Sequence, residues 1–191
     1  MEKINKFNKS IKDHIELFNN LNLVEKSYFD LLKELIKTLK NGNKIIVAGN
    51  GGSASDAQHF AAELVGRFEK ERQALPAIDI TSNSSSITAI SNDYEFEQVF
   101  SRQLSAFGKK GDLFIVITTS GNSKNIFSAV KLAQSMGIKS CGLLGKKGGV
   151  VLNELDIAIV VPHSKTARIQ EAHLFILHNL CCEIDDYFTR S

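Results

Sequence analysis

Apolar positions along the chain follow two rhythms. Up to residue 40 they recur at spacings of three and four: Ile11, Ile15, Phe18 and Leu21, then Leu31, Leu32, Leu35, Ile36 and Leu39. That spacing lines one face of a helix, so residues 3–40 predict helix, divided in two near Asn20–Leu23. Asn41-Gly42-Asn43 closes the second helix, as a glycine-containing C-cap does. A helical hairpin cannot bury both apolar faces alone, so it packs on the rest of the chain or on another subunit.

From residue 44 the rhythm changes to short apolar runs alternating with helical stretches. Strands are predicted at 44–48, 77–80, 113–118, 140–144 and 157–161. Helices are predicted at 53–68, with Ser53 or Ser55 near the N-cap, at 84–107 with a break near Asn92-Asp93, at 123–136, and at 166–188. The run Leu113-Phe114-Ile115-Val116-Ile117 has no polar alternation, which marks a strand covered on both faces. Strands alternating with helices give an α/β fold, a doubly wound parallel sheet flanked by helices, with an N-terminal helical hairpin. The expected division is residues 1–42 as N-terminal helices and 43–191 as the ligand-binding domain.

The bulk properties narrow the function. The 191 residues carry 23 basic and 21 acidic side chains, a net charge of +2, and 43% are hydrophobic. Such a balance argues against nucleic acid as a partner. No apolar run reaches transmembrane length, and no apolar segment follows the charged Met1-Glu2-Lys3 start, so neither membrane span nor signal peptide is expected. Cys141, Cys181 and Cys182 are too few for a disulfide scaffold; they read as buried small hydrophobes in a cytoplasmic protein.

Two Gly/Ser-rich loops follow predicted strands and precede predicted helices: Gly49-Asn50-Gly51-Gly52-Ser53 and Thr118-Thr119-Ser120-Gly121-Asn122-Ser123. A helix N-terminus presents unpaired N–H groups and the positive end of its dipole, and glycines let backbone close around an anion. Two such loops at one sheet edge point to a phosphorylated small molecule. The first loop also fits G-x-G-x-x-A, the dinucleotide fingerprint, but the next strand ends Asp79-Ile80-Thr81-Ser82, which places the ribose carboxylate poorly. There is no Walker lysine, so no nucleotide cofactor is expected.

His59 and Glu63 lie four apart on the helix after the first loop, on one face and about 6 Å apart along its axis. An imidazole and a carboxylate so spaced serve as metal ligands, as an acid/base pair, or as a solvated surface pair. The last helix holds Gln170, Glu171, His173 and His178. His178 lies between Leu174 and Cys182 at four-residue spacings, the setting of a core histidine or of one tuned by burial. His173 and Glu171 read as surface or interface residues. Gln170 and His178 are about 12 Å apart along a regular helix, so shared work suggests two copies meeting at the site.

At these residues the chain resembles the sugar isomerase (SIS) domain family, and within it the phosphoheptose isomerases. The matching stretches are GNGGSASDAQHFAAELVGRF from Gly49, LPAI from Leu75, TAISNDYEFEQVFSRQ from Thr88, TTSGNSKN from Thr118, GLLGKKGG from Gly142 and TARIQEAH from Thr166. They run through nearly all of the chain from residue 44. Thr118 stands where serine is more usual, Ser55 where alanine is, and Asn83 where many members have aspartate.

The resemblance implies conversion of sedoheptulose 7-phosphate to D-glycero-D-manno-heptose 7-phosphate, the first step towards activated heptose for lipopolysaccharide or capsule. It implies phosphate binding by Ser53, Ser120, Ser123, Thr118 and Thr119. Asn50, Gly51, Gly52, Arg67, Asn92, Asp93 and Gln170 would hold the sugar or shape the site. Glu63 and His178 would be the acid/base pair, their roles at carbon and oxygen interchangeable at this level. His59, Glu63, Gln170 and His178 would match zinc ligands of some members. It implies a homotetramer with sites at subunit boundaries. The rival reading is a non-catalytic SIS protein that binds a replication initiator; a third is a sugar-phosphate sensor. Retention of the whole His59/Glu63/Gln170/His178 set favours the enzyme.

Overall fold

The computed structural model describes residues 5–189. The expectations for Met1–Ile4 and for Arg190–Ser191 lie outside the described residues. The chain begins with α1 (Lys6–Asn19), a single 3-10 turn at Leu21–Val24, and α2 (Glu25–Lys40). The sheet and its connections follow: β1 (Ile45–Gly49), α3 (Gly52–Val65), β2 (Ala77–Asp79), α4 (Ser84–Asp93), α5 (Val99–Phe107), β3 (Leu113–Thr118), α6 (Lys124–Ser135), β4 (Lys139–Leu144), β5 (Ile157–Val160) and α7 (Thr166–Thr189).

All five strands are parallel, in the order β2-β1-β3-β4-β5. Every residue of β1 and β3 is buried, as a sheet covered on both faces demands. Alternate side chains feed two cores. Ile45 and Val47 join Leu113, Ile115 and Ile117 on one face, beneath α2, α3 and α7. Ile46 and Ala48 join Phe114 and Val116 on the other, beneath α5 and α6. The N-terminal hairpin is unequal. Leu31, Leu32, Leu35 and Leu39 of α2 are buried in the first core, whereas α1 buries only Leu17.

Two expectations change. The first-loop helix stops at Val65 rather than residue 68, and its N-cap is Gly51 with no side-chain cap in place of Ser53 or Ser55. The chain turns away after Gly66 so that residues 66–76 can return to β2. The three cysteines are free thiols; Cys141 and Cys181 are buried and Cys182 is half-buried. Among the described residues no helix is long and apolar enough to cross a membrane.

Candidate active site

Strand order reverses direction between β1 and β3, and in such sheets ligands bind at that point, outside the carboxyl ends of the strands. The two Gly/Ser loops leave β1 and β3 there. The first loop is tied to the first turn of α6, just beyond the second loop, by a reciprocal amide pair: Asn50 Nδ2 donates to Asn125 Oδ1 at 3.0 Å, and Asn125 Nδ2 donates to Asn50 Oδ1 at 2.9 Å. Asn125 is buried, and its Oδ1 also accepts the Ile126 amide. Beside the pair opens a cleft of about 540 Å³ lined by Asn50, Gly51 and Ser123, together with Phe96, Glu97, Lys124 and Asn125.

The electrostatics of this edge suit an anion. Neither α3 nor α6 is capped by a side chain, and neither has an acidic residue in its first turn. Both positive helix ends therefore stay uncompensated, and Lys124 adds a full charge. The second loop is shaped internally. The Gly121 amide donates to Thr118 Oγ1 at 3.2 Å, and the Asn122 amide donates to Ser120 Oγ at 3.2 Å. A hydroxyl that accepts keeps its own hydrogen for another partner. Gly121 sits at φ +66°, and a Cβ there would lie 1.8 Å from the Gly148 carbonyl oxygen, so no other residue fits.

Helices α3 and α7 run side by side and carry the titratable groups. At one end the Gln170 amide packs on Gly52, where a Cβ would come within 2.3 Å of its Nε2. Two turns further on, His59 Nε2 and His178 Nε2 are 2.8 Å apart, and Glu63 Oε1 lies 3.5 Å from His59 Nδ1. His59 thus stands between Glu63 and His178. At 2.8 Å one ring must donate to the other; a proton on His59 Nδ1, facing the carboxylate, leaves its Nε2 to accept from His178. The Phe68 ring stacks on His178, with centroids 5.4 Å apart. Burial first, then the neighbouring His59 ring, lowers the His178 pKa, with Glu63 opposing, and this favours a neutral imidazole able to take a proton. Burial raises the Asp56 carboxyl, with the Gln170 amide opposing.

The structure brings together Asn50, Gly51 and Ser123 at the cleft and Glu63, His59 and His178 on the helix pair. Ser53 and Thr118 are buried just behind. Gly52 opens α3 beside Gly51, and Thr119 and Ser120 lie in the second loop. Arg67, Asn92 and Asp93 stand apart from these groups, and Gln170, at Gly52, stands apart from the two histidines. Arg67 is exposed and faces Glu71 at 3.5 Å. Asn92 and Asp93 are exposed and bonded to each other at 2.9 Å. Gln170 and His178 meet α3 two turns apart, as the helical spacing required. The reading of His173 as a surface residue is overturned: it is fully buried, and its Nε2 donates to the Leu144 carbonyl at 3.0 Å. It lies four residues after Ile169 and four before Leu177, both buried, so helical spacing carried a signal for the core. Sequence reasoning also missed Phe68, Phe96, Glu97, Lys124 and Asn125. For Lys124 and Asn125 there was a signal, since they open the helix after a phosphate-type loop.

The donors suit a divalent ion of the zinc class, since two imidazole nitrogens already face each other with a carboxylate one helical turn away. Among the described residues no group of three or more His, Cys, Asp or Glu side chains converges to hold an ion. Glu63 faces the ring nitrogen of His59 that points away from His178, and Gln170 lies at Gly52.

The SIS domain family model matches residues 12–145. The chain is 49% identical over 180 residues to the phosphoheptose isomerase of Campylobacter concisus, covering 94% of this chain and 92% of that protein. It is 56% identical over 153 residues to the phosphoheptose isomerase of Nitratiruptor sp., covering 80% and 82%. A phosphoheptose isomerase structure from Francisella tularensis superposes with a TM-score of 0.93 at 39% identity, over 97% of this chain and 100% of that one.

Proposed function

This chain belongs to the phosphoheptose isomerase family of SIS domain proteins, and from that premise we propose that it converts sedoheptulose 7-phosphate to D-glycero-D-manno-heptose 7-phosphate. The observation that carries this reading is the Glu63–His59–His178 array, in which His59 and Glu63 of the helix that leaves the first anion-binding loop meet His178 of α7. The likenesses favour the enzyme over an initiator-binding protein.

The phosphate is held at the positive ends of α3 and α6, with Ser53, Ser120, Ser123, Thr118 and Thr119 supplying hydroxyls. This anchors the sugar so that C1 and C2 reach the helix pair. Asn50, Gly51 and Gly52 frame the chain of the sugar. Gln170 stands at the start of α3, and Arg67, Asn92 and Asp93, which lie apart from these groups within one chain, would complete a site shared between copies of the chain. Glu63 removes a proton from C1, giving a cis-enediolate, and returns it to C2. His178 moves a proton from the C1 hydroxyl to the C2 oxygen, so that the carbonyl passes from C2 to C1. His59, between them, orients both: it faces the Glu63 carboxylate through one nitrogen and His178 through the other. Were the donors of His59, Glu63, Gln170 and His178 brought together on one zinc-class ion, as they are not in this arrangement of a single chain, that ion would supply Lewis-acid polarisation of the substrate oxygens.

The assembly is a homotetramer in this reading, with the N-terminal helices α1 and α2 at its contacts. Exposed Phe7, Ile11 and Ile15 on α1 support it, as does an apolar groove lined by Phe18, Tyr28, Phe29 and Phe175. The two-turn separation of Gln170 from His178 also fits sites completed by a second copy. A soluble sugar phosphate as substrate fits the cytoplasm, and the product would feed lipopolysaccharide or capsule.

The test is NMR of purified, metal-analysed protein with sedoheptulose 7-phosphate in heavy water. Heptose 7-phosphate carrying deuterium at C2 is the expected result. Glu63→Gln and His178→Gln are each expected to stay folded and lose turnover. Wild-type rates in both would refute the assignment.

A further inference from the structure

Outside the groups used above, one polar pair ties α3 to α7. The side chains of Arg72 and Asp185 are each 1% exposed, and Arg72 Nε donates to Asp185 Oδ1 at 2.7 Å. Asp185 Oδ2 accepts the backbone amides of Glu69 at 2.8 Å and Lys70 at 2.9 Å. Arg72 Nη2 donates to the Glu63 carbonyl at 2.7 Å. Arg72 Nη1 donates to the carbonyls of Leu64 and Gln73, each at 2.9 Å, and more weakly to Gly66 at 3.3 Å.

The last carbonyls of a helix lack partners within it, and α3 has no basic residue in its own last turn. Arg72, returning from the loop beyond, supplies both the donors and the positive charge that this end attracts. Burial raises the Asp185 carboxyl, but the amides of Lys70 and Glu69 and the Arg72 guanidinium outweigh it and hold the group below the usual carboxylate range. The pair is therefore ionised at neutral pH.

The position of this pair links it to the chemistry. One carbonyl it grips belongs to Glu63 itself. Asp185 follows His178 by seven residues, two turns along the same face of α7. The two helices are thus fixed on each other at Gln170–Gly52 and at Arg72–Asp185, with His59 and His178 meeting between. A buried ion pair is by itself weak support for stability, because apolar residues of similar size often do as well. A planar five-donor fork that binds particular carbonyls does something apolar residues cannot: it fixes where those carbonyls sit. We propose that the Arg72–Asp185 pair is a positioning element that sets Glu63 relative to His178. The proposal rests on the reading of Glu63 and His178 as the acid/base pair.

Arg72→Lys keeps the charge and loses the fork; Asp185→Asn keeps the shape and loses the charge. Each variant is assayed well below its own unfolding temperature. The expected result is a fall in kcat of about 10- to 100-fold, because small misplacements of reacting groups are that costly. KM for sedoheptulose 7-phosphate and binding of inorganic phosphate should stay near wild type, since the phosphate loops lie at the other end of α3. A merely structural pair would lower the unfolding temperature and leave kcat alone; wild-type kcat in both folded variants overturns the proposal. Hydrogen exchange on the wild-type protein gives a second measurement, needed if neither variant folds. The Glu69 and Lys70 amides should exchange slowly, and exchange at the rate of an open loop overturns the clamp. Absence of turnover in the wild-type protein would refute the isomerase reading, and with it the catalytic purpose of the clamp. Turnover with unchanged kcat in the variants would refute the clamp alone.

Discussion

Acidification from about pH 7.5 to about pH 5 is expected to remove about 2 kcal/mol of stability through one side chain, His173. The ring is fully buried on α7; its Nε2–H is bonded to Leu144, and its Nδ1 has no partner. Burial lowers its pKa to about 4 from the ordinary 6.5, and the Leu144 bond only partly opposes this. The unfolded chain binds a proton near pH 6.5, whereas the folded chain resists until about pH 4. The contribution is therefore fully present above the unfolded value and is lost as pH falls through the folded one. At about pH 5 the unfolded-state ring is almost wholly protonated and the folded-state ring about one-tenth so, which corresponds to about 2 kcal/mol. The assay is urea unfolding of wild type and His173→Leu at both pH values. The substitution changes stability at each pH by removing the Leu144 bond, so only the difference between the two pH values is compared. Other titrating groups cancel in that comparison. Wild type should lose about 2 kcal/mol more than the variant. Equal losses in the two proteins would refute the reasoning.

Three further outcomes follow from the geometry. Gly121→Ala forces a Cβ to 1.8 Å from the Gly148 oxygen at a positive φ, so the second loop must move; KM for the sugar phosphate should rise with the fold retained, read by steady-state kinetics and circular dichroism. Asn125→Ala strands the Asn50 amide and the Ile126 N–H and should cost about 1–3 kcal/mol in urea unfolding, with a raised KM. Leu35→Ala, at a fully buried site in the first core, should cost about 2–5 kcal/mol and leave kcat/KM near wild type at low temperature.

Most of the elements were legible because their signals are local. The continuous apolar run of β3 and the three-four spacing of α2 each report burial without reference to anything distant. The two Gly/Ser loops were legible for the same reason, since loop chemistry and the following helix start are adjacent in sequence. The site was legible as a set of residue types and not as an arrangement. His173 and His178 share one helix five residues apart, yet one is walled in and the other meets His59. Arg72 sits in the segment after α3, where no local pattern singles it out; its role depends on a carboxylate 113 residues away. Asn50 and Asn125 pair across 75 residues, and no local pattern announces which amides will meet.

The sequence by itself determined the period of each segment, the strand-loop-helix alternation, and which residues of acid, base and anion-binding character the chain carries. Those follow from side-chain spacing and backbone preference within a few residues of each position. Only the tertiary structure decided that β1 and β3 are neighbours at the reversal of strand order, so that the two loops lie side by side. It also decided the register of α3 against α7, which places His59 between Glu63 and His178 and separates Gln170 from them. That register comes from buried packing, the Gln170–Gly52 contact and the Arg72–Asp185 pair. Such contacts join segments more than a hundred residues apart, and their energies arise only once the two helices are pressed together.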